Sequence, residues 1–335
     1  MVNAMSSSSA VKGVALSFGS LVLLGMMPII SNSRPEGIGA LSFALALSAW
    51  QVVFAAPVFA LELRGAEKGV FGAAMERRET GRMAAIALLT GAMFGLSTYL
   101  YVLGAEKSGA VNAAIAIQAY PLFAILWETL FLKRRKSATE LALTLLLIGT
   151  LLYLGSGGTF RFSGLSPWFL VSLGVPFLWS VAHVIIKEEL GRTPITPIQV
   201  TFFRVAISTL TLAVLLAGAS PRTMPGEMIA VILQPMSILM GLVYYLELIV
   251  WFHAVRHIDV SLASSITTPW PALTMALAAP VLGESIEPHQ IGALGVIVLC
   301  IYGLTWASLG KAAARERSRR PRKAGPLRTF TIRRR

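Results

Sequence analysis

The chain has 335 residues, of which 55% are hydrophobic and only 13% charged, and its formal net charge is +13. A water-soluble domain of that length needs roughly 25% charged residues to cover its surface, so a single soluble core is excluded. A mean hydropathy of +0.71 points to lipid as the solvent.

Ten apolar stretches follow one another along the chain. The first five run from Val11 to Ser31, Ile38 to Leu61, Met83 to Leu103, Gly109 to Leu132 and Ala138 to Ser156. The second five run from Pro167 to Ile186, Pro197 to Ala217, Met228 to Ala254, Ile258 to Leu282 and Ile291 to Leu309. Most reach the roughly 20 residues that carry a helix across the hydrocarbon core. The period-two alternation of a membrane barrel is missing, so the stretches read as helices. Met1 to Ala10 is polar and Ser-rich, and the stretch after it is too long for a signal-peptide core, which predicts an uncleaved first helix. The single Cys300 lies in the last stretch and leaves no intrachain disulfide or cysteine metal site.

The second five stretches repeat the first five at an offset of 150 residues. Tyr120-Pro121 aligns with Trp270-Pro271, Tyr101 with Trp251, Gly104-Ala105 with Ala254-Val255, and Lys133-Arg134 with Gly283-Glu284. The predicted fold is therefore an all-α membrane protein with ten transmembrane helices in a five-plus-five inverted-topology repeat. Residues 1–10 form a polar cytoplasmic N-terminus, 11–156 the first repeat, 157–309 the second, and 310–335 a basic, disordered cytoplasmic tail.

Charge sets the orientation. Of the 29 Lys and Arg, 24 fall at the N-terminus, on alternate connectors and in the tail, while Arg34, Lys107, Arg161 and Arg222 occupy the other connectors. The positive-inside rule then places both termini in the cytoplasm. Glu36, Glu106, Glu227, Glu284 and Glu287 fall outside, in agreement. Five helices per half force the halves into opposite orientations, so Lys133 to Lys136 faces in and Gly283 to Ile286 faces out. The tail is expected to be attracted to the anionic inner leaflet rather than to nucleic acid.

Ionisable groups inside a membrane are costly and mark function by default. Arg204 and Glu247 are predicted at the same depth, as a gate or an intramembrane ion pair. Glu128 reads as an interfacial partner of the Lys133 to Lys136 cluster, His183 shares a helix face with Trp179, and His253 is interfacial. The candidate substrate-binding residues are Trp50, Gln51, Tyr99, Gln118, Tyr120, Trp179, His183 and Trp270, with Ser97, Tyr101, Tyr244, Tyr245, Thr267 and Thr268 nearby in depth. Lipid-facing aromatics are the alternative for the rings, and the belt position suits Trp127, Trp168 and Trp306. Pro121 and Pro271 are expected to kink equivalent helices, either as moving gates or as static bends.

No nucleotide loop, dinucleotide fingerprint, metal spacing or nucleophile elbow is present in the sequence. No enzyme activity, cofactor or metal is expected. The partners expected are a small-molecule substrate and the lipid bilayer.

The ten-helix repeat, the aromatic-Pro pairs of the fourth and ninth stretches and Leu282-Gly283-Glu284-Ser285-Ile286 resemble the drug/metabolite transporter superfamily in its EamA-type branch. The resemblance covers Val11 to Leu309. In that branch a Leu-Gly-Glu turn closes each half; here the first half has Leu132-Lys133-Arg134 instead. The abundance of mid-helix aromatics is similar to the YddG-type exporters of aromatic amino acids. The resemblance implies a bacterial inner-membrane exporter of aromatic or other small apolar amino acids and related metabolites, working by alternating access around a central cavity. A carrier of a sugar- or nucleotide-type metabolite, or a non-transport membrane protein, remains the competing reading.

Overall fold

The structure, a computed structural model, describes residues 2–65, 68–130, 137–190, 192–219, 225–258 and 260–319. The Lys133 to Lys136 cluster, Arg222 and the last sixteen residues lie outside them, as do the side chains of Glu128, Lys187 and Arg256. The described chain folds into thirteen α-helices: α1 Val2–Asn32, α2 Ala40–Arg64, α3 Arg77–Ser108, α4 Ala110–Ile117, α5 Tyr120–Leu130, α6 Ala138–Gly155 and α7 Pro167–Leu190. The remainder are α8 Pro197–Ala219, α9 Pro225–Ile232, α10 Pro235–His257, α11 Val260–Thr267, α12 Trp270–Leu282 and α13 Pro288–Arg319.

Among the described residues eight helical stretches are long and apolar enough to cross a membrane, and nine if α9 and α10, bent by 54° at their junction, make one span. The stretch expected from Ile258 to Leu282 is occupied by the short pair α11 and α12. Two expectations at the termini change. Helix α1 takes in the polar N-terminal residues from Val2, and α13 runs past Leu309 to Arg319. Residues 311–317, Lys-Ala-Ala-Ala-Arg-Glu-Arg, are strong helix formers, and extending a helix already nucleated in the span costs little.

The prolines act differently from interior kinks. Pro121 and Pro271 are the second residues of α5 and α12, where the missing N–H would have had no intrahelical partner. The breaks come just before them. At the first, the amides of Gln118 and Ala119 turn back to Ile115 and Ala116, at 3.1 and 3.0 Å, which tightens and ends α4. The paired helices α4 and α11, and the starts of α5 and α12, lie 150 residues apart.

Helix contacts follow the same offset. Helix α1 lies along α10 and touches α11 and α12, as α7 lies along α3 and touches α4 and α5. Helices α2 and α8 pack on each other, while α6 and α13 pair at the flank. Close approach of α3 to α8 depends on Gly91 and Gly95, because an added Cβ would meet Ile207 at 2.6 Å or the Ser208 carbonyl at 2.9 Å. The Ser208 hydroxyl donates to the Gly91 carbonyl at 2.9 Å across this contact.

Polarity runs opposite to that of a soluble bundle. Ser17, Ser20, Ser48, Ser97 and Thr274 are fully buried, while Leu145, Val214 and Leu299 are exposed. Hydroxyls inside bond helix carbonyls, as Thr274 does to Gly25 at 2.8 Å. Apolar side chains turned outward on nearly every helix are what a hydrocarbon surrounding selects.

Candidate functional site

Helix α7 presents Ser172, Val175, Pro176, Trp179 and His183 on one face, by their spacing of three and four residues. Ser172, Val175 and Pro176 are buried and Trp179 half-buried, yet His183 is exposed. His183 is thus the accessible end of an otherwise packed face. Its ring lies 5.3 Å from that of Phe94 and 5.9 Å from that of Tyr120, measured between centroids. One turn away, the Trp179 indole N–H donates to the Ser97 hydroxyl at 2.9 Å, and Ser97 donates to the Phe94 carbonyl, also at 2.9 Å.

Phe94 joins this group to Arg204, whose guanidinium carbon lies 3.7 Å from the Phe94 ring centroid, a close cation–π contact. The Tyr244 hydroxyl lies beside the guanidinium and Thr98, but completes no hydrogen bond of good geometry. Glu247, one turn further along α10, is buried and accepts from the Ser20 hydroxyl at 2.8 Å. Arg204 and Glu247 are close enough to interact electrostatically, but among the described residues no direct ion pair joins them. Below Arg204 is a hollow of about 30 Å³ lined by Met83, Ile86, Thr90, Ile186 and Phe203, room for a water rather than a metabolite.

The other sequence candidates divide. Trp270 is buried in the apolar cluster that holds Tyr101 and Tyr244, with Tyr99 and Trp179 packed against it. Gln118 is buried at the α4–α5 break. Gln51 is buried with its amide nitrogen unpartnered. Trp50 points elsewhere: its indole N–H donates to the Ile232 carbonyl at 2.7 Å and its ring lies 5.6 Å from Phe54. It satisfies the carbonyl freed where α9 bends into α10, a task of architecture. Phe94 and Ser20 were not legible as site residues, although Phe94 matches Tyr244 in the 150-residue offset.

The two ends of the bundle are closed by different chemistry. At the end formed by the α1–α2 and α3–α4 connectors, the Arg34 guanidinium donates to the carbonyls of Ser31 and Ile38, at 2.7 and 3.0 Å, and pairs with Glu106. Burial pulls the Arg34 pKa down, and the Glu106 carboxylate opposes that shift. Lys107 adds a second contact to Glu106 at 2.7 Å. Beside them Glu284 accepts from the first amides of α4, Ala110 at 2.8 Å and Val111 at 3.3 Å. A carboxylate there meets free N–H groups and the positive end of the helix dipole. These residues rim a cleft of about 490 Å³.

At the opposite end a neutral side chain joins two elements, beside the rings of Phe59, Phe71 and Phe203. Thr196 and Gln199 form a reciprocal cap on α8, with N–H to side-chain oxygen distances of 3.1 and 3.4 Å. The same fully buried amide holds the α2–α3 connector, accepting from the Val70 N–H at 3.1 Å and donating to the Lys68 carbonyl at 2.8 Å. Gly69, at φ +54°, makes the tight approach possible, since a Cβ there would lie 2.3 Å from the Gln199 oxygen.

Comparison with known proteins adds a family. Residues 166–306 match the model of the EamA-like transporter family. The second half carries an EamA-like transporter domain. The matched segment begins just before α7 and ends within α13, so the Leu282-Gly283-Glu284 turn and Arg204 both belong to it. Among curated proteins, the pseudopaline exporter CntI of Pseudomonas aeruginosa, from strains UCBPP-PA14 and PAO1, is 30% identical over 132 residues. That stretch is 39% of this chain and spans less than half, 43%, of the relatives' length. A protein of known crystal structure superposes over 93% of this chain and 99% of its own, with a TM-score of 0.53 and 18% identity, which shows a shared fold.

Proposed function

We propose that the chain is a multi-pass transporter that exports a small metabolite by alternating access, and that aromatic or other small apolar amino acids are its substrates. The observation that carries the reading is His183, exposed in line with a packed helix face and ringed by Phe94 and Tyr120. Aromatic faces with a few polar tips suit a ring-bearing solute. Support for export comes from the CntI relatives, which are named as exporters. The ten-span, inverted-repeat reading is supported by the matched helix breaks and by contacts that interchange when the halves are swapped. Rocking of one half against the other would open the bundle first at one end and then at the other.

The test is reconstitution in liposomes loaded with labelled amino acids, sugars and nucleosides. Efflux of phenylalanine or tryptophan well above that from empty vesicles is the expected result. Efflux of a sugar or nucleoside with no amino acid would replace the substrate class and leave the transporter. Orientation in a bacterial inner membrane, with both termini cytoplasmic, is tested in a background lacking Cys300. Ser285→Cys should react with an impermeant thiol reagent from outside the cell and Ser137→Cys should not; the reverse labelling would overturn the assignment.

A further inference from the structure

Arg204 and Glu247 carry opposite charges within electrostatic range in a lipid-embedded bundle, and they do not touch. That separation is unusual. Two ions removed from water recover part of their desolvation by closing into a hydrogen-bonded pair, and a structural pair adopts that geometry. Here the guanidinium rests on the Phe94 ring and the carboxylate on the Ser20 hydroxyl. The Tyr244 hydroxyl lies against Arg204 and Thr98, and the hydroxyl of Tyr101, close to that of Tyr244, has no hydrogen-bond partner. Both tyrosines are more than nine-tenths buried. Buried hydroxyls are almost always partnered, so the orphan Tyr101 hydroxyl near a cation that touches no carboxylate marks the place of a missing acceptor.

We infer that Arg204 and Glu247 are the two poles of a substrate site that is closed in this structure, where the hollow beside Arg204 measures about 30 Å³. Arg204 takes a carboxylate, with the Tyr244 hydroxyl as a second donor, and Glu247 takes an ammonium of the same molecule. The cargo is thus a zwitterion with both groups on a short carbon frame, and its side chain lies toward Phe94, Trp179 and His183. Each charge of the ligand completes one that the protein leaves open, so binding replaces two desolvated ions by two pairs. A neutral sugar or a dianionic phosphate would leave Glu247 uncompensated or repelled. This assignment rests on the transporter reading above.

The test measures competition in proteoliposomes by amino acids, by the matching amino-acid amides and amines, which lack the carboxylate, and by the matching deaminated acids. Wild-type protein should prefer the zwitterion over either truncated form by roughly tenfold or more, the usual worth of a charge-assisted bond. Arg204→Gln should abolish the preference against the amide and keep that against the deaminated acid. Glu247→Gln should do the reverse, and Arg204→Lys, which keeps the cation, should keep the carboxylate preference. Variants are compared only where size-exclusion profiles match the wild type; misfolding of Arg204→Gln leaves the Arg204→Lys and Glu247→Gln arms to decide. Transport of amino acids with no loss of discrimination in these variants overturns the two-pole site while the amino-acid exporter stands. Transport restricted to singly charged or uncharged compounds overturns both.

Discussion

The two ends of the bundle differ, among the described residues, in the chemistry of the bonds that hold them. At the Arg34 end, a guanidinium, two carboxylates and an ammonium tie three connectors and the start of α4 together. At the Gln199 end a neutral amide joins the α2–α3 connector to α8, with Phe71 packed on Phe59 and Phe203 beside it, and it is toward this end of α7 that His183 is exposed. Charge-assisted bonds are worth roughly twice neutral ones, less where the groups are exposed as Glu106 and Lys107 are. Among the described residues, one end is thus held mainly by charged groups and the other by a neutral amide and packed rings.

Breaking Glu284 should have the largest effect. Glu284→Ala removes a carboxylate from two helix amides and should lower unfolding stability in detergent by about 2–3 kcal/mol. Glu284→Gln should lose less, because an amide oxygen still accepts. A melting curve unchanged by Glu284→Ala would remove the α4 cap from the account of the charged end. Next comes Arg34→Ala, with an expected loss of about 1–2 kcal/mol, since it frees two carbonyls and leaves Glu106 to Lys107 alone. A reporter cysteine at the buried Ser31 should then label faster with a soluble maleimide, and equal rates would show that Arg34 does not close this end. Gln199→Ala should cost least, about 0.5–1 kcal/mol for the lost cap. Its clearest sign is faster tryptic cleavage after Lys68, and cleavage at the wild-type rate would mean that Gln199 does not hold this connector.

Much of this was legible in the sequence because lipid imposes long apolar runs: the starts of α2, α6, α7 and α8 fall within a few residues of expectation. The breaks in the fourth and ninth stretches were visible only as Pro121 and Pro271, which read as kinks because the sequence does not reveal that the two residues before each pair leave the helix. Within the candidate site, His183 and Tyr120 were both named as candidates, and the structure brings their rings to 5.9 Å. The role of Phe94 was not, since an apolar ring on an apolar helix carries no mark of its neighbours. Trp50 misled for the opposite reason: a mid-span indole resembles a cavity residue, and its actual partner is a carbonyl 182 positions away. The Leu-Gly-Glu turn was recognised as a pattern, but a sequence pattern says nothing about which helix end the Glu serves.

The cap on α4 also bears on how the chain is made. Helix α4 has eight residues, a length of about 12 Å, well under the hydrocarbon thickness. Its first amides, which lipid cannot satisfy, are met by a carboxylate 174 residues further along the chain. In sequence order, the group that caps the start of α4 is supplied only by the second half of the chain. The start of α4 is thus built from two distant stretches of chain, and it is complete only when both are in place.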